Sequence, residues 1–193
     1  MLEKLQPQGK KYKDGFAPSF HPNEFNRRFK PDDFVFVSDM GDIAFAQIAE
    51  RQAIADYCAN FPETRFLLQT KDPWIFEGHI FNKPNFYLGV TLETNRPYPV
   101  TQAPTPFERY IKIQSGTFKV RFVSIEPIMD FDLKTLMRWI GHIKPEIVEV
   151  GADNYSNHLV EPPWEKVEAL LESLRKFVPR VVEKDGLERL KGK

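Results

Sequence analysis

Short apolar runs that end in acids, amides or hydroxyls recur along this chain, and they leave few folds open to it. Lys119–Asp130 reads Lys-Val-Arg-Phe-Val-Ser-Ile-Glu-Pro-Ile-Met-Asp, so the β-formers Val120, Phe122 and Val123 deliver Ser124 and Glu126 to the C-terminal end of a short strand. Phe34–Val37 runs likewise into Ser38-Asp39-Met40-Gly41-Asp42, Arg65–Leu68 into Gln69-Thr70-Lys71-Asp72, and Phe86–Val90 into Thr91-Leu92-Glu93-Thr94-Asn95. Glu146–Val150 ends in Gly151-Ala152-Asp153-Asn154. In α/β folds with parallel strands the βα loops open on one face, and ligand groups gather there. The pattern predicts one polar site at the strand ends.

Helical signals fill the gaps between the runs. Asp42 reads as the N-cap of a helix from about Ile43 to Asn60, and Asp72-Pro73 opens a short helix through Ile75, Phe76 and Ile80. A helix is predicted around Pro106–Gln114, after a proline-rich loop over 95–107 whose Tyr98, Val100 and Phe107 suit a packed lid. Asp132 caps a helix with Leu133, Leu136, Met137, Ile140 and Ile143 at i, i+3, i+4, i+7 spacing. Pro162-Pro163 start another, with Val167, Leu170, Leu171, Leu174 and Val178 on one face, and Arg180–Glu183 reads as a last strand before a short helical tail. About six strands alternating with helices predict an α/β architecture with a parallel sheet. A G-x-G-x-x-G or Walker loop, the usual mark of a doubly wound sheet, is lacking, so the expected form is a partial TIM-barrel-like sheet.

A chain of 193 residues, 41% apolar and 28% charged, can bury one sizeable core. The expected organisation is an irregular segment over 1–31, pinned to the body by Tyr12, Phe16, Phe20, Phe25 and Phe29, and one barrel domain over 32–193. Lys+Arg and Asp+Glu both number 27, so no global field draws in a polyanion. Local basic clusters at Lys10/Lys11/Lys13 with Arg27/Arg28/Lys30, and along Arg175–Lys193, keep nucleic-acid processing as a weak alternative, with solvated termini as the simpler reading. No run approaches a membrane span and no signal-peptide core is present, which predicts a cytoplasmic protein without membrane association. The single cysteine, Cys58, falls in a helical pattern as a core residue; no disulfide and no cysteine-based metal or iron–sulfur site is expected within the chain. His21, His79, His142 and His158 show no ligand spacing, so no metal is assigned. Neither a G-x-S-x-G motif nor a Cys–His pair points to nucleophilic catalysis, and catalytic residues are left unassigned.

The segments Phe34–Asp42 (FVFVSDMGD), Phe66–Asp72 (FLLQTKD), Leu88–Pro97 (LGVTLETNRP), Arg121–Phe131 (RFVSIEPIMDF) and Val150–Asn154 (VGADN) resemble a radical-SAM-like family of partial TIM barrels found in archaea, bacteria and phages, sometimes labelled spore-photoproduct-lyase-like. The resemblance covers about residues 10–185. Family members usually begin with one more βα unit, whose C-x3-C-x2-C loop holds a [4Fe–4S] cluster. Lys10–Phe16 looks like the stretch that follows that loop, so the resemblance implies either a truncated or mis-started chain, or a natural derivative without the cluster.

The resemblance also implies roles. Asp39-Met40-Gly41-Asp42 stands where such enzymes hold the amino group of S-adenosylmethionine, with Asp39 and Asp42 to receive an ammonium and Gly41 to let backbone approach. Thr91 and Glu93 fall where ribose hydroxyls are met, and Ser124 and Glu126 lie beyond the following strand. Gly151, Asp153 and Asn154 come where adenine or substrate would lie. Thr70 and Lys71 are candidates for the substrate side. Each has a plain structural alternative: Asp42 as a helix cap, Glu126 bonding turn amides before Pro127, and Asp153 bonding its own loop. The expected function is therefore binding of S-adenosylmethionine or a similar small polar ligand at the strand ends, radical chemistry requiring an upstream cysteine-bearing segment. The alternative of another class is a non-catalytic module that forms a homodimer through an open sheet edge at Phe34–Val37.

Overall fold

The computed structural model of the chain describes residues 17–39 and 41–192. Tyr12, Phe16, the Lys10/Lys11/Lys13 cluster, Met40 and Lys193 lie outside the described residues. Six strands, β1 (Phe34–Val37), β2 (Arg65–Thr70), β3 (Phe86–Thr91), β4 (Val120–Ile125), β5 (Ile147–Val150) and β6 (Arg180–Glu183), pair in sequence order, every neighbour parallel. Helices α1 (Ile48–Ala59), α2 (Pro106–Ser115), α3 (Leu133–Ile143) and α4 (Trp164–Leu174) provide crossovers, and a 3-10 turn over Pro73–Phe76 stands between β2 and β3. The sheet curls into a half-barrel, the α/β architecture the alternating pattern predicts.

Strand alternation divides the side chains between two faces. Phe66, Leu68, Phe86 and Leu88 pack under α1 with Cys58 and Ala55. Val90, Val123, Ile125, Val148 and Val150 pack under α2, α3 and α4, against Ile113, Leu136, Ile140, Val167 and Leu171. On the concave face Leu67, Phe122 and Ile147 form an apolar floor with Tyr87 and Val182 against it. Gly89 is the residue that closes this floor, because a Cβ there would stand 3.0 Å from Leu67 Cδ1 and 3.1 Å from Phe122 Cδ1.

The helix ends follow their caps. Asp132 accepts from Thr135 N–H at 2.8 Å, starting α3, and Thr105 N–H donates to Glu108 Oε2 at 2.7 Å in a reciprocal box around Pro106 of α2. The region after β1 differs from the single helix predicted over Ile43–Asn60. Asp42 caps a 3-10 turn over Ile43–Phe45, the chain extends at Ala46 and Gln47, and α1 starts at Ile48. The reason lies in Asp42, whose carboxylate also accepts from the Thr70 hydroxyl at 2.6 Å and Lys71 N–H at 2.7 Å, which ties the turn to the end of β2.

Residues 17–31 are irregular apart from a 3-10 turn over Pro22–Asn26. Phe25 stacks on Tyr57 at 4.9 Å, and Phe29 sits edge-on to Phe61 and Phe66. The loop after β3 is held at its start: Thr94 Oγ1 donates to Asp130 O at 2.6 Å, Asn95 and Asp132 bond reciprocally, and Arg96 pairs with Asp130. No helix among the described residues is long and apolar enough to cross a membrane.

Candidate functional site

Strand alternation places Gln69, Thr91, Ser124 and Glu149 on the concave face one layer above the apolar floor, with Thr91 opposite Ser124 and Ser124 opposite Glu149. Gln69 Nε2 donates to Thr91 Oγ1 at 2.8 Å. The Ser124 hydroxyl makes no hydrogen bond to any described residue, although the residue is only 2% exposed. Charged side chains flank this layer at the strand ends on both sides.

On the β2–β3 side Glu93 is buried between two cations. Its Oε1 accepts from Lys71 Nζ, and its Oε2 from Arg109 Nη1 at 2.8 Å. Arg109 reaches in from α2, is wholly buried, and also donates to Thr91 O at 2.8 Å and Pro104 O at 2.6 Å; its Nη2 has no partner among the described residues. Glu93 has φ +55°, a left-handed backbone conformation costly for a residue with a Cβ, and such conformations concentrate at ligand sites. On the β4–β6 side Lys184 Nζ lies 2.9 Å from Glu126 and 3.7 Å from Glu149. Burial alone would lower the Lys184 pKa, but the Glu126 and Glu149 carboxylates outweigh it and hold the ammonium above the usual lysine range. Gly151 makes room for this pair, since a Cβ there would stand 2.7 Å from the Glu126 carboxylate carbon.

The predicted residues thus separate into two groups. Lys71, Thr91, Glu93, Ser124, Glu126 and Gly151 converge on the concave strand-end face. Asp42 and Thr70 are taken up by the fold: Asp42 holds the Ala44 and Lys71 amides and the Thr70 hydroxyl, although with Asp39 and Gly41 it also lines a cleft of about 530 Å³ on the helix-covered side of β1, and Thr70 Oγ1 accepts from Asp72 N–H at 2.9 Å. Asp153 bonds its own loop, accepting from Tyr155 N–H and from Asn157 Nδ2 at 2.7 Å. Asn154 Nδ2 donates to Asp185 O at 2.8 Å, tying the β5 and β6 loops together. Asp39 is exposed, and its carboxylate has no partner among the described residues; a Cβ on Gly41 would meet nothing within 4 Å, so that position requires no glycine for space.

Arg109, Glu149 and Lys184 join the site without having been singled out. Glu149 was within reach of the period-2 rule, lying two residues after Ile147, and Lys184 is a strand-end residue like the others. Nothing local marks Arg109 in α2. Of the basic clusters, Arg27 lies 2.5 Å from Glu24, Arg175 pairs with Glu183, and Arg189 is bidentate to Glu161, so these cations are neutralised within the chain. No group of three metal-binding side chains occurs among the described residues. Cys58 is buried with its thiol pushed up to about 12 by desolvation, and one such thiol does not fit a cluster that needs several thiolates. Comparison with family models, with curated proteins and with solved structures finds no match to this chain.

Proposed function

We propose that the concave strand-end face binds a small zwitterionic ligand, S-adenosylmethionine being the one the strand-end segments imply. The observation that carries this reading is the pair of charge clusters, Lys71–Glu93–Arg109 and Glu126–Lys184–Glu149, at the ends of the strands on either side of Ser124. The rim side chains are the movable ones: Lys184 is 40% and Lys71 34% exposed. A ligand ammonium would take the place of Lys184 between Glu126 and Glu149, releasing the half-exposed Lys184 to water, and a ligand carboxylate would draw Lys71 from Glu93. Arg109, being buried, would keep Glu93 in place during that exchange.

The test is thermal denaturation and titration calorimetry with S-adenosylmethionine, and with methionine as the zwitterion alone. Saturation at 100 times Kd stabilises by about 2.7 kcal/mol, an upward shift of roughly 5–10 °C for a chain of this size. Glu126→Gln combined with Glu149→Gln should abolish the shift. Absence of any shift or heat with either compound at millimolar concentration refutes the reading.

A further inference from the structure

We infer that the open edge of β1 pairs with the same edge of a second copy of this chain, in antiparallel register centred on Val35. This does not rest on the ligand reading. β1 pairs with β2 and with no other described strand. Its sequence, Phe34-Val35-Phe36-Val37, has no charge, proline or bulge to discourage pairing. Arg65 N–H donates to Asp33 O at 2.8 Å, so odd-numbered residues of the strand face β2, and the N–H and C=O of Phe34 and Phe36 point out of the open edge.

The side chains there are unusually bare. Phe34 is 39% exposed, Phe36 43%, and Phe45, just after the strand, 69%. At about 200 Å² per ring, they leave roughly 300 Å² of aromatic surface in water, more than a third of the ~800 Å² that one partner contributes to a stable interface. On the helix-covered side of the same strand a cleft of about 530 Å³ separates Val35 and Val37 from Phe20 and Phe25 of the segment before β1, and no described strand pairs with the edge itself.

Chemistry selects the register. A two-fold axis through Val35 places Phe34 opposite the partner's Phe36, so both rings are covered and both outward-pointing backbone pairs are satisfied. It also sets Asp33 against the partner's Val37, with no acid opposite an acid. An axis through Phe36 instead sets Phe34 opposite the partner's Ser38, past the end of the strand, and one between Val35 and Phe36 sets the outward backbone of Phe34 against the partner's Val37, which faces β2; neither satisfies both outward pairs.

The test is sedimentation velocity on the full chain between micromolar and submillimolar loading, with amide hydrogen exchange on the same samples. The expected result is a species of twice the 22.5 kDa chain mass, and Phe34 and Phe36 amides whose protection grows with concentration. Phe36→Lys, at an exposed position, should weaken association at least about tenfold, whereas Ile111→Lys on the separate exposed face of α2 should leave it unchanged. A monomer throughout overturns the inference, as does a dimer that Ile111→Lys disrupts or Phe36→Lys spares. Protection of Phe34 and Phe36 that is independent of concentration would assign the edge to another segment of the same chain, and also overturns it. The exchange measurement on the unaltered chain decides the matter even if Phe36→Lys fails to fold.

Discussion

Replacing Glu93 by glutamine isolates the strongest electrostatic commitment in the site. Glu93 is 4% exposed and Arg109 fully buried, with 2.8 Å between Oε2 and Nη1. The amide would keep the shape and one acceptor oxygen, but the Arg109 guanidinium would retain its full charge inside the fold, answered only by the carbonyls of Thr91 and Pro104. Removing one partner of a buried pair costs about 3–5 kcal/mol, and the retained oxygen places this case near the lower end, at about 3 kcal/mol. Lys71 contributes little to that figure, because its side chain is 34% exposed and can turn to water. For a chain of this length the loss corresponds to a fall of roughly 6–12 °C in melting midpoint. The assay is urea unfolding of the full chain, read as a lower midpoint at unchanged slope, with scanning calorimetry alongside. Lys71→Met serves as the control and should cost about 1 kcal/mol or less. A loss below about 1 kcal/mol for Glu93→Gln, or equal losses for the two variants, would refute the argument that Arg109 depends on Glu93 for its buried charge.

Gly89→Ala should destabilise by about 1–3 kcal/mol, because the added methyl meets Leu67 and Phe122 in the packed concave floor; an unchanged unfolding midpoint would show that the floor is loose. Gly151→Ala should cost less, since its methyl meets only the end of the Glu126 side chain, and it should instead break the Glu126–Lys184 pair, seen as a lowered Lys184 pKa by NMR titration. Cys58 should resist a thiol reagent near neutral pH until the chain unfolds, its thiolate being suppressed by a pKa of about 12. Arg121 holds the Glu146 carboxyl below its ordinary range, and in Asp130 the pull of Lys166 and Arg96 overcomes the upward push of burial. Both groups are depressed on folding, so their contribution is present above the unfolded carboxyl pKa near 4 and is lost as pH falls through the lower folded values. Glu146→Gln should flatten that acid limb in unfolding measured from about pH 5 down to about pH 3, and an unaltered limb would remove Glu146 from the account.

The strand-end rule made much of this fold legible in the sequence, because β-branched and aromatic runs and their polar stops are local properties. Arg180–Glu183 and Phe34–Val37 coincide with the strands the runs predict, and Asp132 does cap α3. The rule shows which polar side chains arrive at the strand ends, and carries no information about what meets them there. Asp42 and Glu93 read alike in sequence, each an acid just beyond a β-run. In the fold Asp42 is taken up by two amides and a hydroxyl from its own and the neighbouring loop, whereas Glu93 is met by cations from β2's end and from α2. That difference depends on Arg109 crossing from a helix that only tertiary packing brings near. Likewise the pairing of Glu126 with Lys184 joins residues 58 positions apart through the β4–β5–β6 order. The carboxylates that matter for a ligand are those whose present partners can leave, and Glu126, held by a 40% exposed lysine, meets that condition where Asp42, held by backbone, does not.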